Sequence, residues 1–448
     1  GGDNVAVGNR ALTSNTTASG NLAFGNKCLE FNTTGGNNTG VGANALRQST
    51  TASDNTAVGK SALTANTTGT QNTAVGSLAL DANTTAANNT AVGYSALGLN
   101  TTGAGNAAHG SRALQANTTA SNNTAVGKDA LFVNTTGTLN TAVGALALDA
   151  NTTADNNTAI GGASLTANTT GSQNVGLGAF SLNANTTGDT NTAVGYVALA
   201  ANTTAADGTA VGHSALAANT TGASNTAVGK EALGANTTGT LNTAVGNSAG
   251  AAVTTGVQNT FVGGLCGDNI TTGDLNTMIG YNLGNSAVGV DDEVVIGNNV
   301  NGAGTNTVKI GTAAGNAVLN LDGSDTSWAA ASDERLKKDI VNSTVGLSFI
   351  NALRPVTFKW NAKDAIANTL PQYDADSSDP VYGVGKAHHG FIAQEVKAVI
   401  DANSDVVDGH NLWNTDPDGT QQVAQGALVP MLVKAIQEQN ALIESLTA

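Results

Sequence analysis

Short apolar triplets alternate with polar turns along most of this chain, at one fixed interval. The pattern Asn-Thr-Ala-Val-Gly-x-x-Ala-Leu-x-x-Asn-Thr-Thr-Gly-x-x begins at Asn4, Asn21 and Asn38. It recurs every 17 residues to Asn276, with Gly208 once in place of the asparagine, giving 17 units without an insertion. Self-similarity of this kind decides the fold class before any single residue does. The unit is too short and too rich in Gly, Thr and Asn for a pair of helices. Thr-Ala-Val predicts a short strand, and Asn-Thr-Thr-Gly predicts a turn. Since no insertion breaks the register, every unit must stack on its neighbours in the same geometry.

Three positions carry the packing argument. The fifth is glycine in every unit, from Gly8 and Gly25 to Gly280, which predicts a positive φ or the close approach of a neighbouring strand. The fourth is apolar (Val7, Phe24, Val41, Val58) except at His109, and the ninth is usually leucine (Leu12, Leu29, Leu46, Leu63). A unit thus has too little apolar volume for a core of its own, and stacking must supply the burial. With aromatics at 4% and charged residues at 11%, a thick conventional core is excluded. The expected fold is mainly β, a trimeric β-solenoid or interwound triple β-helix. At about 4.8 Å per coil it makes a rod of roughly 80 Å, a spacer or a display surface.

Charge and cysteine content remove several function classes. The net charge of −15 is spread along the chain, with 8 basic and 17 acidic side chains in residues 1–331 and 9 and 15 in residues 332–448. Without a basic patch, nucleic acid is not a partner. No apolar run reaches the length of a membrane span, and no signal peptide is visible. The chain begins Gly-Gly-Asp in mid-repeat, so an upstream region such as an anchor is expected. Cys28 and Cys266 occupy the eighth position of units 2 and 16, where alanine is the norm, and read as small buried residues too far apart to pair. Solitary histidines such as His109 and His213 give no metal site, and no cofactor is expected. The many Asn-x-Thr triplets match a glycosylation sequon, but stacked turns reuse the same residues and explain them better.

After the array the pattern loosens. Residues 1–289 read as the repeat shaft, and 290–331 as a junction with short strands at Val294-Val295-Ile296-Gly297-Asn298-Asn299 and Thr307-Val308-Lys309-Ile310-Gly311. Residues 332–448 are compositionally ordinary, with most of the prolines and dense charge. Their last segment, about Val423 to Leu446, predicts a helix. On it Val429, Leu432, Ile436, Gln439, Ile443 and Leu446 follow alternating steps of three and four, a heptad seam with one polar position. One amphipathic helix packed on its own domain would show the same spacing.

Four blocks in this region carry a resemblance. They are Ser332-Asp333-Glu334-Arg335-Leu336-Lys337-Lys338-Asp339-Ile340, Leu353-Arg354-Pro355-Val356-Thr357-Phe358-Lys359-Trp360, Gly390-Phe391-Ile392-Ala393-Gln394-Glu395-Val396 and Leu428-Val429-Pro430-Met431-Leu432-Val433-Lys434-Ala435-Ile436-Gln437-Glu438. In this order they resemble the C-terminal intramolecular chaperone domain of phage endosialidases, tail spikes and tail fibres. Ala424-Gln425-Gly426, where that family often has an aromatic, is the one departure noted. The repeat resembles the Asn-Thr-Ala-Val-Gly arrays of phage and bacterial surface fibres and, more loosely, trimeric autotransporter heads.

The resemblance implies a small α+β domain, ending in the long helix, that assembles a homotrimer and then cuts itself off. It places the cleavage between Ala331 and Ser332 and maps a Ser-Lys dyad onto Ser332 and Lys337. A lysine can take the serine proton only when burial or nearby cations lower its pKa. Lys338 and Arg335 supply positive charge, and His389 beside His388 is an assisting candidate. Without the other blocks, Ser332 would read as the N-cap of a charged helix start. The implied setting is a phage tail fibre in the virion, reaching a host-surface receptor such as a glycan. A bacterial surface or extracellular fibre with the same chaperone is the alternative. A glycan depolymerase would need paired carboxylates in a cleft, whereas Asp81, Asp149 and Asp189 stand singly. An ice-binding solenoid would need a flat face of exposed threonines, for which Thr67-Thr68 and its equivalents are the candidates.

Overall fold

Stacked coils of 17 residues form the first part of the molecule. The computed structural model describes residues 1–321, 329–330, 338–368, 373–381, 386–406, 412–415 and 420–447. The chain divides into two units, Gly1–Ala331 and Ser332–Ala448.

In the first unit, strands β1 (Val5–Val7) to β17 (Thr277–Tyr281) lie one per coil and pair in parallel with their sequence neighbours. Register is uniform: Thr56 faces Thr73, Ala57 faces Ala74 and Val58 faces Val75. Because each strand pairs with the next of the same chain, the shaft is a single-chain β-solenoid and not an interwound triple helix. An eighteenth coil follows the consensus array, since β18 (Glu293–Asn298) keeps the same offset, with Thr277 opposite Val294. The step then shortens, with Glu293 opposite Thr307 at the start of β19 (Thr307–Thr312). The antiparallel strands β20 (Gly315–Asn320) and β21 (Ala329–Ala330) end the sheet.

Four left-handed corners shape each of the first sixteen coils. In the fourth they are Gly59 (φ 138°), Ser61 (φ 60°), Leu63 (φ 51°) and Gln71 (φ 59°). Each non-glycine residue held there costs about 1–2 kcal/mol. The return is direction: these residues point their N–H groups along the stack. Ser61 N–H donates to Ala43 O at 2.9 Å, Leu63 N–H to Ala79 O at 3.0 Å and Gln71 N–H to Ser53 O at 3.2 Å. The ninth position is accordingly Leu or Gly and never Val or Ile, because β-branched side chains tolerate this region worst. At Gly59 both reasons for glycine hold, since a Cβ would lie 2.4 Å from Gly76 O.

The core differs from the expected one in two respects. The inward residues are the third-position alanine, the eighth-position alanine and the ninth-position leucine, as with Ala57, Ala62 and Leu63, all fully buried. The fourth-position valine points out: Val58 is 36% and Val126 40% exposed. A three-residue strand presents only its middle side chain to the interior. The asparagines expected in turns also point in. Asn55, Asn72, Asn66 and Asn83 are buried, and they form two amide ladders. In the first, Asn72 N–H donates to Asn55 Oδ1 at 2.9 Å and Asn72 Nδ2 to Ala86 O at 2.8 Å. In the second, Asn83 Nδ2 donates to Asn66 Oδ1 at 2.9 Å and to Ala86 O at 3.0 Å. A buried amide is tolerated only when so satisfied. The asparagines of the Asn-Thr-Thr sequons, Asn66 and Asn83 among them, are thus interior, apart from the half-buried Asn15 of the first coil.

The ladders stop where the sequence changes. Among the described residues Asn32 Oδ1 and Asn236 Oδ1 lack hydrogen-bond partners, because the next coils carry Ser49 and Val253 at that position. The first ladder ends at Glu293, whose N–H donates to Asn276 Oδ1 at 3.1 Å and whose buried carboxylate accepts from Gly304 N–H at 2.7 Å and Ser286 N–H at 3.2 Å. Gly208 interrupts it: its N–H donates to Asn191 Oδ1 at 2.9 Å, but it offers no amide onward. Gly208→Asn is therefore expected to stabilise the shaft by about 1–2 kcal/mol, through one restored link and a less flexible unfolded chain. Slower amide exchange in β13 (Thr209–Val211) and β14 (Thr226–Val228) would register the gain.

The last coils exchange volume between positions. Leucine at the ninth position becomes Gly250 and Gly267, while the third-position alanine becomes Phe261, fully buried. A Cβ at Gly250 or Gly267 would lie 2.6 Å or 2.3 Å from the Phe261 ring. One aromatic ring therefore fills the space two leucines leave, and the packing density is kept.

Candidate assembly and processing site

The second unit is built on one small apolar core. Val345, Phe349, Leu353, Val396, Ile400 and Leu412 pack with Leu428 and Met431. They lie on or beside α1 (Leu347–Ala352), α2 (Ala393–Asp401) and α3 (Leu428–Thr447), with Leu412 just ahead of β24 (Trp413–Thr415); β24 pairs antiparallel with β25 (Gln421–Val423), as β22 (Val356–Phe358) does with β23 (His388–Gly390). The final helix starts at Leu428 and not near Val423, because Gln421–Val423 is taken by β25 and Gln425–Ala427 forms a single 3₁₀ turn.

Polar contacts tie the second block to the third, and the fourth to the start of α1. Arg354 grips Glu395 in a fork, Nε to Oε2 at 2.9 Å and Nη2 to Oε1. Glu395 lies in the first turn of α2, where a carboxylate also suits the helix dipole, and the guanidinium holds its carboxyl below the usual range. From the fourth block, Glu438 Oε2 accepts the Leu347 N–H at the start of α1 at 2.7 Å. Both carboxylates lie in the quoted blocks, but their partners could not be assigned from spacing alone.

The expected catalytic residues Ser332 and Lys337 and the cleavage residue Ala331 lie outside the described residues. Lys338 is fully exposed and pairs with Asp339 at 3.9 Å. His389 is exposed, with its Nδ1 3.2 Å from Thr357 Oγ1. His388 is half-buried against Phe358 and Trp360, with ring centroids 5.8 and 6.4 Å away. Its Nε2 has no hydrogen-bond partner among the described residues.

The seam of α3 is the feature the structure resolves best. Leu428, Met431 and Ala435 face the domain core and are buried. The predicted seam faces away: Val429 is 57%, Ile436 56%, Ile443 51% and Leu446 85% exposed, and Leu432 is exposed as well. This helix is therefore not simply amphipathic and packed on its own domain, since both of its faces are apolar and only one is covered.

Elsewhere the titratable groups read as structural. Burial pushes the Cys28 thiol up to about 11 and raises that of Cys266, so neither is a ready nucleophile. Glu30 is buried between Arg47 at 2.8 Å and Arg10 at 2.6 Å, which hold its carboxyl below the usual range. Burial raises the carboxyls of Asp81 and Asp149. They stand four coils apart, about 19 Å at the usual strand spacing and well beyond glycosidase separation. Asp129, on the coil beside Asp149, is taken by Arg112 at 2.7 Å. Among the described residues no three His, Cys, Asp or Glu side chains gather to hold a metal ion, and no helix is long and apolar enough to cross a membrane.

A solenoid of short repeats followed by a small helical domain with an uncovered apolar seam defines a fibre shaft joined to an assembly domain. Residues 332–405, within the C-terminal unit, match the protein-family model described as chaperone of endosialidase, a peptidase family. The fourth block, on α3, lies beyond the matched segment. No curated protein and no solved structure was found to match the chain.

Proposed function

We propose that this chain is a fibre shaft carrying its own removable folding device. The chaperone domain draws three copies together through the α3 seam and holds the shafts in register while they fold. It is then released by cleavage between Ala331 and Ser332. The uncovered seam carries this reading. With Val429, Leu432, Ile436 and Ile443 between 42% and 57% exposed, about half of the roughly 1.5–3 kcal/mol that full burial of such a side chain gives stays ungained until another helix covers it. Three copies do so symmetrically.

In the proposed reaction Lys337 Nζ takes the Ser332 hydroxyl proton as Oγ attacks the Ala331 carbonyl carbon. The C–N bond breaks, the amide nitrogen receives the proton and the resulting ester is hydrolysed by water. Formation of a competent lysine only in the assembled trimer would make cleavage report complete folding. Solenoid shafts depend on ordered stacking of many coils, and losing the nucleating domain would make their persistence kinetic.

The setting we propose is a phage tail fibre. Within the repeat array every charged residue falls at positions 6, 7, 10, 16 or 17 of a unit. Sequence variety is thus concentrated on loops that a rigid scaffold can present to a host-surface receptor.

Light scattering on the Ser332→Ala chain, kept whole by design, tests the assembly step. The account expects three times the 44.1 kDa chain mass, and a single chain mass for Ile436→Glu with Ile443→Glu, the far-ultraviolet circular dichroism being unchanged. A trimer that survives both glutamates would remove α3 from the interface.

A further inference from the structure

We infer that the shafts themselves pack side by side, parallel and in register, through the outward strand face formed by positions 2 and 4 of each coil. This rests on the trimer proposed above and assigns the surface of the solenoid that it buries.

Four observations lead there. The middle residue of each strand points inward, so the outer two make one face of the parallel sheet. That face is Thr-x-Val in most coils, and register stacks threonine on threonine and valine on valine, as in β4 (Thr56–Val58) and β5 (Thr73–Val75). The file runs the length of the array and is apolar except at His109: Val75 is 37%, Ile160 38%, Val245 40% and Ile279 42% exposed, while Val41, Val92, Val143 and Val194 are half-buried. No charged residue occurs at positions 2 to 4 in any of the 17 units, although charges populate five other positions. Finally, a parallel in-register sheet keeps the file straight, so it is a strip and not scattered valines.

The size of the strip fits a protein partner. Seventeen coils at about 4.8 Å, with outward side chains about 7 Å apart along each strand, give a face of roughly 80 by 10 Å. That is about 800 Å² per copy, what one partner contributes to a standard stable interface, and the valine file makes up about half of it. Another copy of the same repeat has side chains at the same interval over the same length, so file can pack on file from end to end. Tethering by the chaperone domain supplies the local concentration that brings such faces together. The other constant outward position, the fourteenth, forms a column of exposed threonines such as Thr68 and Thr238. It presents hydroxyls with no valine file beside them, so it has far less to gain from burial.

Cysteine cross-linking in the full chain tests the assignment. Cys28 and Cys266 are first replaced by alanine, the residue usual at their position. Val75→Cys and Val245→Cys then probe the strand face at two heights, and Thr68→Cys and Thr238→Cys probe the threonine column. Each is oxidised with copper–phenanthroline under air and run on a non-reducing denaturing gel, beside light scattering of the same sample. Both valine sites are expected to form covalent dimers at least about tenfold faster than either threonine site, given millimolar effective concentration within an assembly. A trimer in which the valine sites stay uncrosslinked, or in which the threonine sites react as fast, overturns the assignment and leaves the trimer standing. A monomer by light scattering overturns both.

Discussion

Alanine at Gly144 is expected to cost the shaft about 3–5 kcal/mol, from strained backbone together with steric overlap. Gly144 has a φ of 139°, and a Cβ there would lie 2.4 Å from Gly161 O of the next coil. The contact is with backbone, so no side chain can move aside. The two coils must separate, and the ladder bonds between them lengthen. Unfolding of a repeat array is not two-state, so the local measure is the informative one. Amide exchange in β9 (Thr141–Val143) and β10 (Thr158–Ile160) should quicken by about a hundredfold or more, since each tenfold corresponds to about 1.4 kcal/mol. Gly162→Ala is the control: a Cβ there meets nothing within 4 Å, and no change is expected.

Truncating Phe261 to alanine should cost about 3–5 kcal/mol, the usual loss for a buried aromatic. The more discriminating result comes from the cycle with Gly250. Gly250→Leu alone should also destabilise, because its Cβ would press on the ring 2.6 Å away. Combined with Phe261→Ala, however, it recreates the Ala-and-Leu pairing of the earlier coils. The backbone is already suited, since Gly250 has a φ of 60° and the leucines at this position lie near 50°. The double variant is therefore expected to be more stable than either single one. Additive losses would mean that the ring and the missing leucines do not share one space. Amide exchange in β15 (Thr243–Val245) and β16 (Thr260–Val262) of the three variants decides this.

These predictions rest on features unequally visible in the residues. The period, the Thr-Ala-Val strand and the obligatory glycine were legible because each is a local property repeated without interruption. The inward asparagines were not. Asn-Thr-Thr-Gly has turn chemistry when one unit is considered, and Asn66 becomes a core residue only because Asn83 sits one coil away to share its amide. The direction of Val58 was hidden similarly, since Ala57 and Val58 are both apolar and three residues show no alternation. The left-handed leucines left a trace, the absence of Val and Ile at the ninth position, whose meaning depends on knowing where the N–H must point. In the C-terminal unit the α3 seam was legible as a heptad pattern, while the Arg354–Glu395 fork depends on tertiary pairing across distant segments. The expected dyad residues Ser332 and Lys337 lie outside the described residues.

Self-cleavage is decided by intact mass under denaturing conditions, on freshly folded wild type beside Ser332→Ala and Lys337→Ala. The account predicts that the wild-type chain splits between Ala331 and Ser332 while both variants keep the full 44.1 kDa. A wild-type chain that is trimeric and yet remains whole would contradict it, leaving the C-terminal unit as an assembly cap that performs no cleavage.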